Sequence, residues 1–219
     1  MSSLTEKAYC PLALRLSGRL VVVVGGGKVA ERKIRRLLGH GCKITLVSPV
    51  VSTELGTLIG MGGIHWIERK ARGADFEGAF LVLLATDDPQ ANMELAVEAR
   101  KAGALVNRAD DPEDCDFVFG ASLHRGAVEA SVFSGGDAPA LAAWLRDELE
   151  STVGEDIGEF AEFFAELRDQ VIGMDPSAEE RGGLLRKLLS SGLYGVFHEK
   201  GAGAALEFAR KQMGRPQEG

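Results

Sequence analysis

The chain is poor in the residues that build metal centres and disulfide frameworks: its 219 positions include three cysteines and four histidines. Cys10, Cys42 and Cys115 lie far apart, are odd in number and form no C-x-x-C pair, which excludes a disulfide scaffold or zinc ribbon and predicts three reduced thiols. His40, His65, His124 and His198 show no paired ligand spacing, so no permanent metal site is expected. Clustered basic charge is missing as well. A net charge of −7 argues against nucleic acid as the main partner, because phosphate binding needs a basic surface. No apolar run is long enough to span a bilayer, and Glu6, Lys7 and Arg15 break up the short apolar patch between Met1 and Leu16, which therefore does not read as a signal peptide. A cytoplasmic protein without membrane partners is expected.

What is present is 45% apolar content, enough for a sizeable core, and a strongly patterned first half. Leu20-Val21-Val22-Val23-Val24 is an apolar strand running into Gly25-Gly26-Gly27-Lys28-Val29-Ala30, the G-x-G-x-x-A spacing of a dinucleotide-binding turn. Gly25 permits the tight turn, Gly27 lets the backbone approach a pyrophosphate, and Ala30 allows close packing of helix on strand. Free amides at the helix start suit an anion. Ala30, Ile34, Leu37, Leu38 and Gly41 then recur at helical spacing, and Lys43-Ile44-Thr45-Leu46-Val47 reads as a second strand. That strand leads into Ser48-Pro49, where an NAD-binding unit commonly has an acidic residue for the ribose hydroxyls. A serine can bond a hydroxyl without repelling a 2′-phosphate, so NAD and NADP both stay open on the residues alone.

Further on, Thr53 to Met61 suggests a short helix, Ile64 to Ile67 a strand, and Phe80 to Thr86 a buried strand. Asp87-Asp88-Pro89 supplies an N-cap and a first-turn proline for a helix to Ala102, whose apolar face is read as Ala91, Leu95, Ala99 and Ala102. Gly103 suits the C-cap, and Ala104-Leu105-Val106-Asn107 opens another strand. This alternation predicts a mostly parallel sheet with helices on both faces and ligands at the carboxyl ends of its strands. From Asp110 to Asp116 five carboxylates fall in seven positions, and mutual repulsion predicts a solvated segment. Val128 to Val132 alternates like a half-exposed strand. Ser134-Gly135-Gly136-Asp137 leads to a helix from Pro139 with Leu141, Leu145 and Leu149 as its buried side. Ile157, Phe160, Ala161, Phe164, Leu167 and Val171 mark a further helix, and Ser177 with Glu180 forms a capping box ahead of Leu184, Leu185, Leu188 and Leu189.

The order Gly25-Gly26-Gly27-Lys28-Val29-Ala30-Glu31-Arg32-Lys33, then Ala85-Thr86-Asp87-Asp88, then Asn107 to Phe117, then Ser134 to Leu141 resembles the precorrin-2 dehydrogenase family, the amino-terminal module of siroheme synthase. The resemblance covers about residues 10–151. It implies an α/β protein: a Rossmann-type NAD-binding domain (1–112), a small α/β dimerisation and substrate-site segment (113–151) and a helical C-terminal domain (152–219), assembled as a homodimer. It also implies NAD-dependent oxidation of the tetrapyrrole precorrin-2 to sirohydrochlorin. The family's catalytic aspartate falls on Asp110 within Asn107-Arg108-Ala109-Asp110, with Asp111 as the adjacent alternative. Cofactor contacts carry over to Gly25, Gly26, Gly27, Lys28, Val29, Pro49 and Val50. Asn107, Arg108, His124, Ser134, Gly135 and Gly136, with Arg125, are the candidate contacts for a polycarboxylate substrate. Two departures stand out: Gly120-Ala121 replaces the family's usual Pro-Ala pair, and Arg108 occupies a commonly apolar position. Some relatives also insert ferrous iron, so a bifunctional enzyme is the alternative, alongside a non-enzymatic NAD(H)-sensing module and a chelatase without oxidation. The tail is too short for a methyltransferase module.

Overall fold

The computed structural model describes residues 9–135, 138–174 and 177–213. Contacts divide the chain into two compact units that meet between Phe119 and Gly120.

The first unit is built from strands β1 (Leu20–Val24), β2 (Lys43–Val47), β3 (Ile64–Ile67), β4 (Ala79–Leu84) and β5 (Leu105–Arg108) and helices α1 (Lys28–Leu37), α2 (Thr53–Gly60) and α3 (Pro89–Lys101). All five strands are parallel, in the order β3-β2-β1-β4-β5. The unbroken apolar runs of β1 and β4 reflect burial on both faces, as a parallel sheet demands. Helix α1 presses Ala30, Ile34 and Leu37 onto one face with α2, while α3 covers the other with Ala96 and Ala99. Leu38 is the C-cap of α1 and is 38% exposed, so it leaves the predicted stripe.

The expected helix ends are present. Asp88 caps α3 by accepting from the Ala91 amide at 3.0 Å, Pro89 occupies the first turn, and Gly103 takes a φ of 84° just past the last turn. The buried face of α3 is shifted from the predicted one: Ala99 is buried and Leu95 packs against the core as expected, but Asn92 and Ala96 are buried too and Ala102 is exposed. The polar Asn92 lay outside the predicted apolar face.

The second unit contains the antiparallel hairpin β6 (Ala121–Arg125) and β7 (Val128–Val132), followed by α4 (Pro139–Thr152), α5 (Ile157–Gly173), α6 (Ala178–Ser190) and α7 (Leu193–Met213), which breaks at Gly201. Phe160, Leu167 and Leu188, which the helical periodicity marks, form a core with Leu193, Phe197, Ala205 and Ala209 of α7, which it had not marked, while Leu189 is exposed. Ser177 and Glu180 make the expected capping box on α6. Helix α4 reverses its prediction: Ala142 is buried, and Leu141, Leu145 and Leu149 are 49%, 37% and 41% exposed beside Trp144 at 55%. Leucine spacing identified a stripe there, but not the side that the hairpin covers.

Candidate active site

Strand register sets the site. Val24 pairs with Val47 and with Leu84, and Leu84 pairs with Arg108, so β2, β1, β4 and β5 end level with one another. The loops that follow extend the ladder for one more step. Gly25 donates to Val47, Ala85 to Val24 and Ala109 to Leu84 through backbone amides at 3.1, 2.8 and 2.9 Å. Residues distant in sequence, Gly25 to Gly27, Ser48 to Ser52, Thr86 and Asp110, thereby follow neighbouring strand ends. The strand order reverses between β1 and β4, the place where open α/β sheets bind ligands.

A cavity of about 1120 Å³ opens at these ends, lined by Gly25, Gly26, Gly27, Pro49, Val50 and Thr86 among others. It lies just above the roughly 300–1,000 Å³ common for small-molecule sites. The three glycines have different causes. Gly25 has a φ of 110°, and a Cβ there would stand 2.3 Å from the Ala85 carbonyl oxygen. At Gly26 a Cβ would stand 1.8 Å from the Val50 carbonyl oxygen, since the Ser52 amide ties that loop to the Gly26 carbonyl at 2.8 Å. Gly27 has nothing within 4 Å of its missing Cβ, so its backbone faces open space. As N-cap of α1 it has no side chain to bond the first amides, leaving the helix start available to a diphosphate. Lys28 and Val29 open α1 and are not among the cavity-lining residues. Ser48 is 5% exposed, and its hydroxyl donates to the Val50 carbonyl at 2.6 Å. It therefore braces the loop in the place where the sequence had suggested a ribose contact.

Beside the cavity, polar groups converge at the ends of β4 and β5. Arg108, with a side chain 7% exposed, donates to Asp110 at 2.7 Å and to Asp114 at 2.8 Å, and lies 3.4 Å from Asp111. Arg100 on α3 pairs with Asp114 and Asp116 at 2.7 and 3.1 Å. The acidic segment thus wraps two arginines, which corrects the expectation that repulsion leaves it merely solvated. Asp110 also accepts from Asn92 Nδ2 at 2.9 Å. Burial pushes the Asp110 carboxyl up, but Arg108, its own backbone and Asn92 outweigh it and hold the group below the usual carboxylate range. Asp111 caps the short turn at Pro112–Asp114 through the Glu113 amide at 3.1 Å.

Asn107 is 5% exposed; its Oδ1 accepts from Lys33 Nζ and its Nδ2 donates to the Phe117 carbonyl at 2.8 Å. Burial, with help from Arg32 and Arg36, pulls the Lys33 ammonium below its ordinary value. In the second unit, His124 pairs with Glu129 at 3.0 Å, Arg125 with Glu150 at 2.6 Å, and Ser134 Oγ donates to the Ala138 carbonyl at 2.8 Å. Gly135 follows with a φ of 71°, and Gly136 lies outside the described residues. Thr86, Lys33 and Asp114 stood within the motifs and the acidic run without being given a role, and Asn92 was missed altogether, although it is a polar residue four positions before Ala96 and seven before Ala99 on one helical face.

Because the buried Arg108 neutralises partly exposed acids, Arg108→Met should lower unfolding free energy at pH 7 by about 3 kcal/mol, the low end for breaking a buried pair, since the partners still see solvent. Asp110 and Asp114 are held below the ordinary 3.8 in the folded chain, so their stabilisation is complete above that value and is lost as pH falls through the folded values. Denaturant titrations of wild type and variant should differ at pH 7 and converge in acid.

The sequence model of the family described as "Putative NAD(P)-binding" matches residues 12–121. The chain belongs to this family. It is 37% identical to Siroheme synthase 1 of Aeromonas salmonicida over 84% of its length, and 37% identical to the siroheme synthase of Pseudomonas entomophila over 80%. These matches span 39% and 38% of those relatives, so the chain covers about two-fifths of their length. Among solved structures, SirC, a precorrin-2 dehydrogenase, superposes with a TM-score of 0.72 at 25% identity, covering 94% of this chain and all of that one. The family assignment falls on the first unit, where the glycine turn and the cavity lie. Among the described residues no helix is long and apolar enough to cross a membrane, and no cluster of three or more metal-ligating side chains forms.

Proposed function

We propose that this protein is an oxidoreductase that uses NAD to convert precorrin-2 to sirohydrochlorin in siroheme biosynthesis. The observation that carries this reading is the placement of an ionised, hydrogen-bonded Asp110 two strands away from a glycine cradle shaped for a dinucleotide. The similarity to SirC and to siroheme synthases supports the substrate assignment. When bound, NAD supplies the hydride acceptor.

The residues divide the remaining work. Gly26 brings the turn against the 48–52 loop, and Gly27 with the opening amides of α1 receives the diphosphate, Lys28 and Val29 acting through backbone. Pro49 and Val50 flank the adenosine end. Oxidation removes a hydride and a proton from the reduced macrocycle, and positive charge develops on the ring system as the hydride leaves. Asp110, kept ionised by Arg108, is a fixed negative charge for that moment and the acceptor for the proton that follows. Its lowered pKa weakens it as a base, so its charge is the larger contribution. Arg108 acts through Asp110, which it holds in an ion pair at 2.7 Å. The chelatase reading draws on the acidic segment, but Asp110, Asp111, Asp114 and Asp116 are all engaged by Arg108 or Arg100.

The test is an anaerobic absorbance assay of freshly generated precorrin-2 with the protein and NAD, NADP or no cofactor. Growth of the sirohydrochlorin spectrum with NAD alone is expected. No change with folded, NADH-binding protein would reject the dehydrogenase in favour of a sensing module.

The active form in this reading is a cytoplasmic homodimer. Cys10, Cys42 and Cys115 are free thiols, which suits a reducing compartment. The exposed stripe of Leu141, Trp144, Leu145 and Leu149 on α4 is the surface we assign to the second copy. Leu141→Glu/Leu145→Glu should convert a dimer to a monomer in sedimentation equilibrium, and an unchanged mass would remove α4 from the interface.

A further inference from the structure

Asn92 is fully buried on the sheet-facing side of α3, one turn before the strand-packing Ala96 and Ala99, where a polar carboxamide needs a reason. Helix propensity gives none, since asparagine is a poorer interior residue than alanine. Capping gives none either: Asp88 already serves the start of α3. Burying the group without partners would cost about 1–3 kcal/mol, so its partners explain its presence. Oδ1 accepts from the Thr86 hydroxyl at 2.7 Å and faces the Thr86 amide at 3.4 Å, while Nδ2 donates to the Thr86 carbonyl at 3.1 Å and to Asp110 Oδ1 at 2.9 Å. Both hydrogens and both lone-pair directions are used. The orientation is unique, because a flipped amide would set its oxygen against the Asp110 carboxylate and its NH₂ against the donors of Thr86.

Every partner belongs either to Thr86, which lines the dinucleotide cavity, or to Asp110. We propose that Asn92 is a positioning residue that locks the Asp110 carboxylate to the cavity wall at Thr86, so that the charged group and the cofactor pocket hold one fixed geometry. This deepens the dehydrogenase reading and rests on Asp110 being its working carboxylate. The second oxygen of Asp110 is fixed by Arg108 at 2.7 Å. Two donors on two different elements, α3 and β5, therefore define the plane of the carboxylate. The other charged groups of this neighbourhood are Asp111 and Asp114, which share Arg108, Arg100 on α3, and Asp87 and Asp88 on the loop carrying Thr86.

Asn92→Asp is the diagnostic substitution because it keeps the shape and replaces a donor with a second carboxyl. The pair then shares a proton, as adjacent carboxyls do. In acid the introduced carboxyl is protonated and donates to Asp110 as the amide did; at higher pH both ionise and repel. The expected result is a kcat that falls with rising pH through a range where wild type is flat, and that recovers in acid. Thr86→Val, which removes the hydroxyl holding Oδ1 but keeps the side-chain volume, guards against a folding defect. It should lower kcat about 10- to 100-fold, as misplaced reacting groups do. ¹³C NMR of labelled aspartates, with Asp110 assigned by its Asn variant, should show its titration midpoint raised in Asn92→Ala. Unchanged kcat profiles and an unmoved midpoint, beside an inactive Asp110→Asn, overturn the inference alone. Full activity in Asp110→Asn overturns the underlying reading together with it.

Discussion

Gly26→Ala should eliminate useful dinucleotide binding, with the Kd for NADH rising at least about 100-fold, or about 2.8 kcal/mol. The reason is steric and local. A Cβ at this position would lie 1.8 Å from the Val50 carbonyl oxygen and 2.8 Å from Ser48 Oγ, and neither neighbour is a flexible side-chain end that can swing away. Ser48 is buried and bonded to the same Val50 carbonyl, and Trp66 Nε1 donates to the Ser48 carbonyl at 3.0 Å, so the loop after β2 is anchored on two sides. Relief requires the loop to leave the turn, which opens the cavity wall that Pro49 and Val50 form. Gly27→Ala is the instructive control: its φ of −92° is ordinary and its surroundings are open, so the variant should melt like wild type. It should nevertheless bind NADH more weakly, because the methyl group occupies space reserved for the diphosphate. NADH fluorescence titrations and thermal melts of the two variants separate a lost fold from a lost site. Equal wild-type affinity in both would remove the glycine turn from the cofactor pocket.

Asp110→Asn should leave NADH binding intact and cut kcat by about 10²–10⁴, the range for losing a positioned acid-base group or a charge aimed at the reacting centre. The amide keeps the shape of the carboxyl, and Arg108 retains Asp114 at 2.8 Å and Asp111 at 3.4 Å, so the fold should survive. Asp111→Asn offers the contrast. That side chain is 41% exposed and spends one oxygen on the Glu113 amide, so kcat should stay within about twofold, as for a surface ion pair of little energetic weight. Steady-state kinetics on both variants, at saturating NAD, decide between adjacent carboxylates. A dead Asp111→Asn beside an active Asp110→Asn would reverse the assignment.

The legibility of this site in the sequence follows the range of the interactions that build it. The glycine turn was legible because its G-x-G-x-x-A spacing directly follows a continuous apolar run, Leu20 to Val24, even though the carbonyls that crowd Gly25 and Gly26 come from Ala85 and Val50 on other strand ends. The N-cap at Asp88 and the box at Ser177 and Glu180 are likewise contained within a single turn. Arg108 illustrates the other case. Its neighbours in sequence gave an acidic run without visible counter-charge, since the second arginine, Arg100, lies on a helix that strand pairing alone brings alongside. Asn92 is illegible for a similar reason: a polar residue on a helix defaults to solvent unless a buried partner is known, and that partner sits past the end of the next strand. Helix α4 shows that a leucine stripe marks an apolar face without stating which surface covers it.

The strand order also governs how the molecule is made. During synthesis β1 precedes the other four strands of its sheet, yet it ends as the central one, zipped on one edge by β2 and on the other by β4. At about 5–20 residues per second, its second edge waits roughly 3–11 seconds for β4. Throughout that interval an uncharged, β-branched segment exposes unpaired amides and carbonyls, the profile of an aggregation nucleus. The strand that begins the cofactor site is thus a segment the nascent chain must keep from pairing with other chains until β4 arrives.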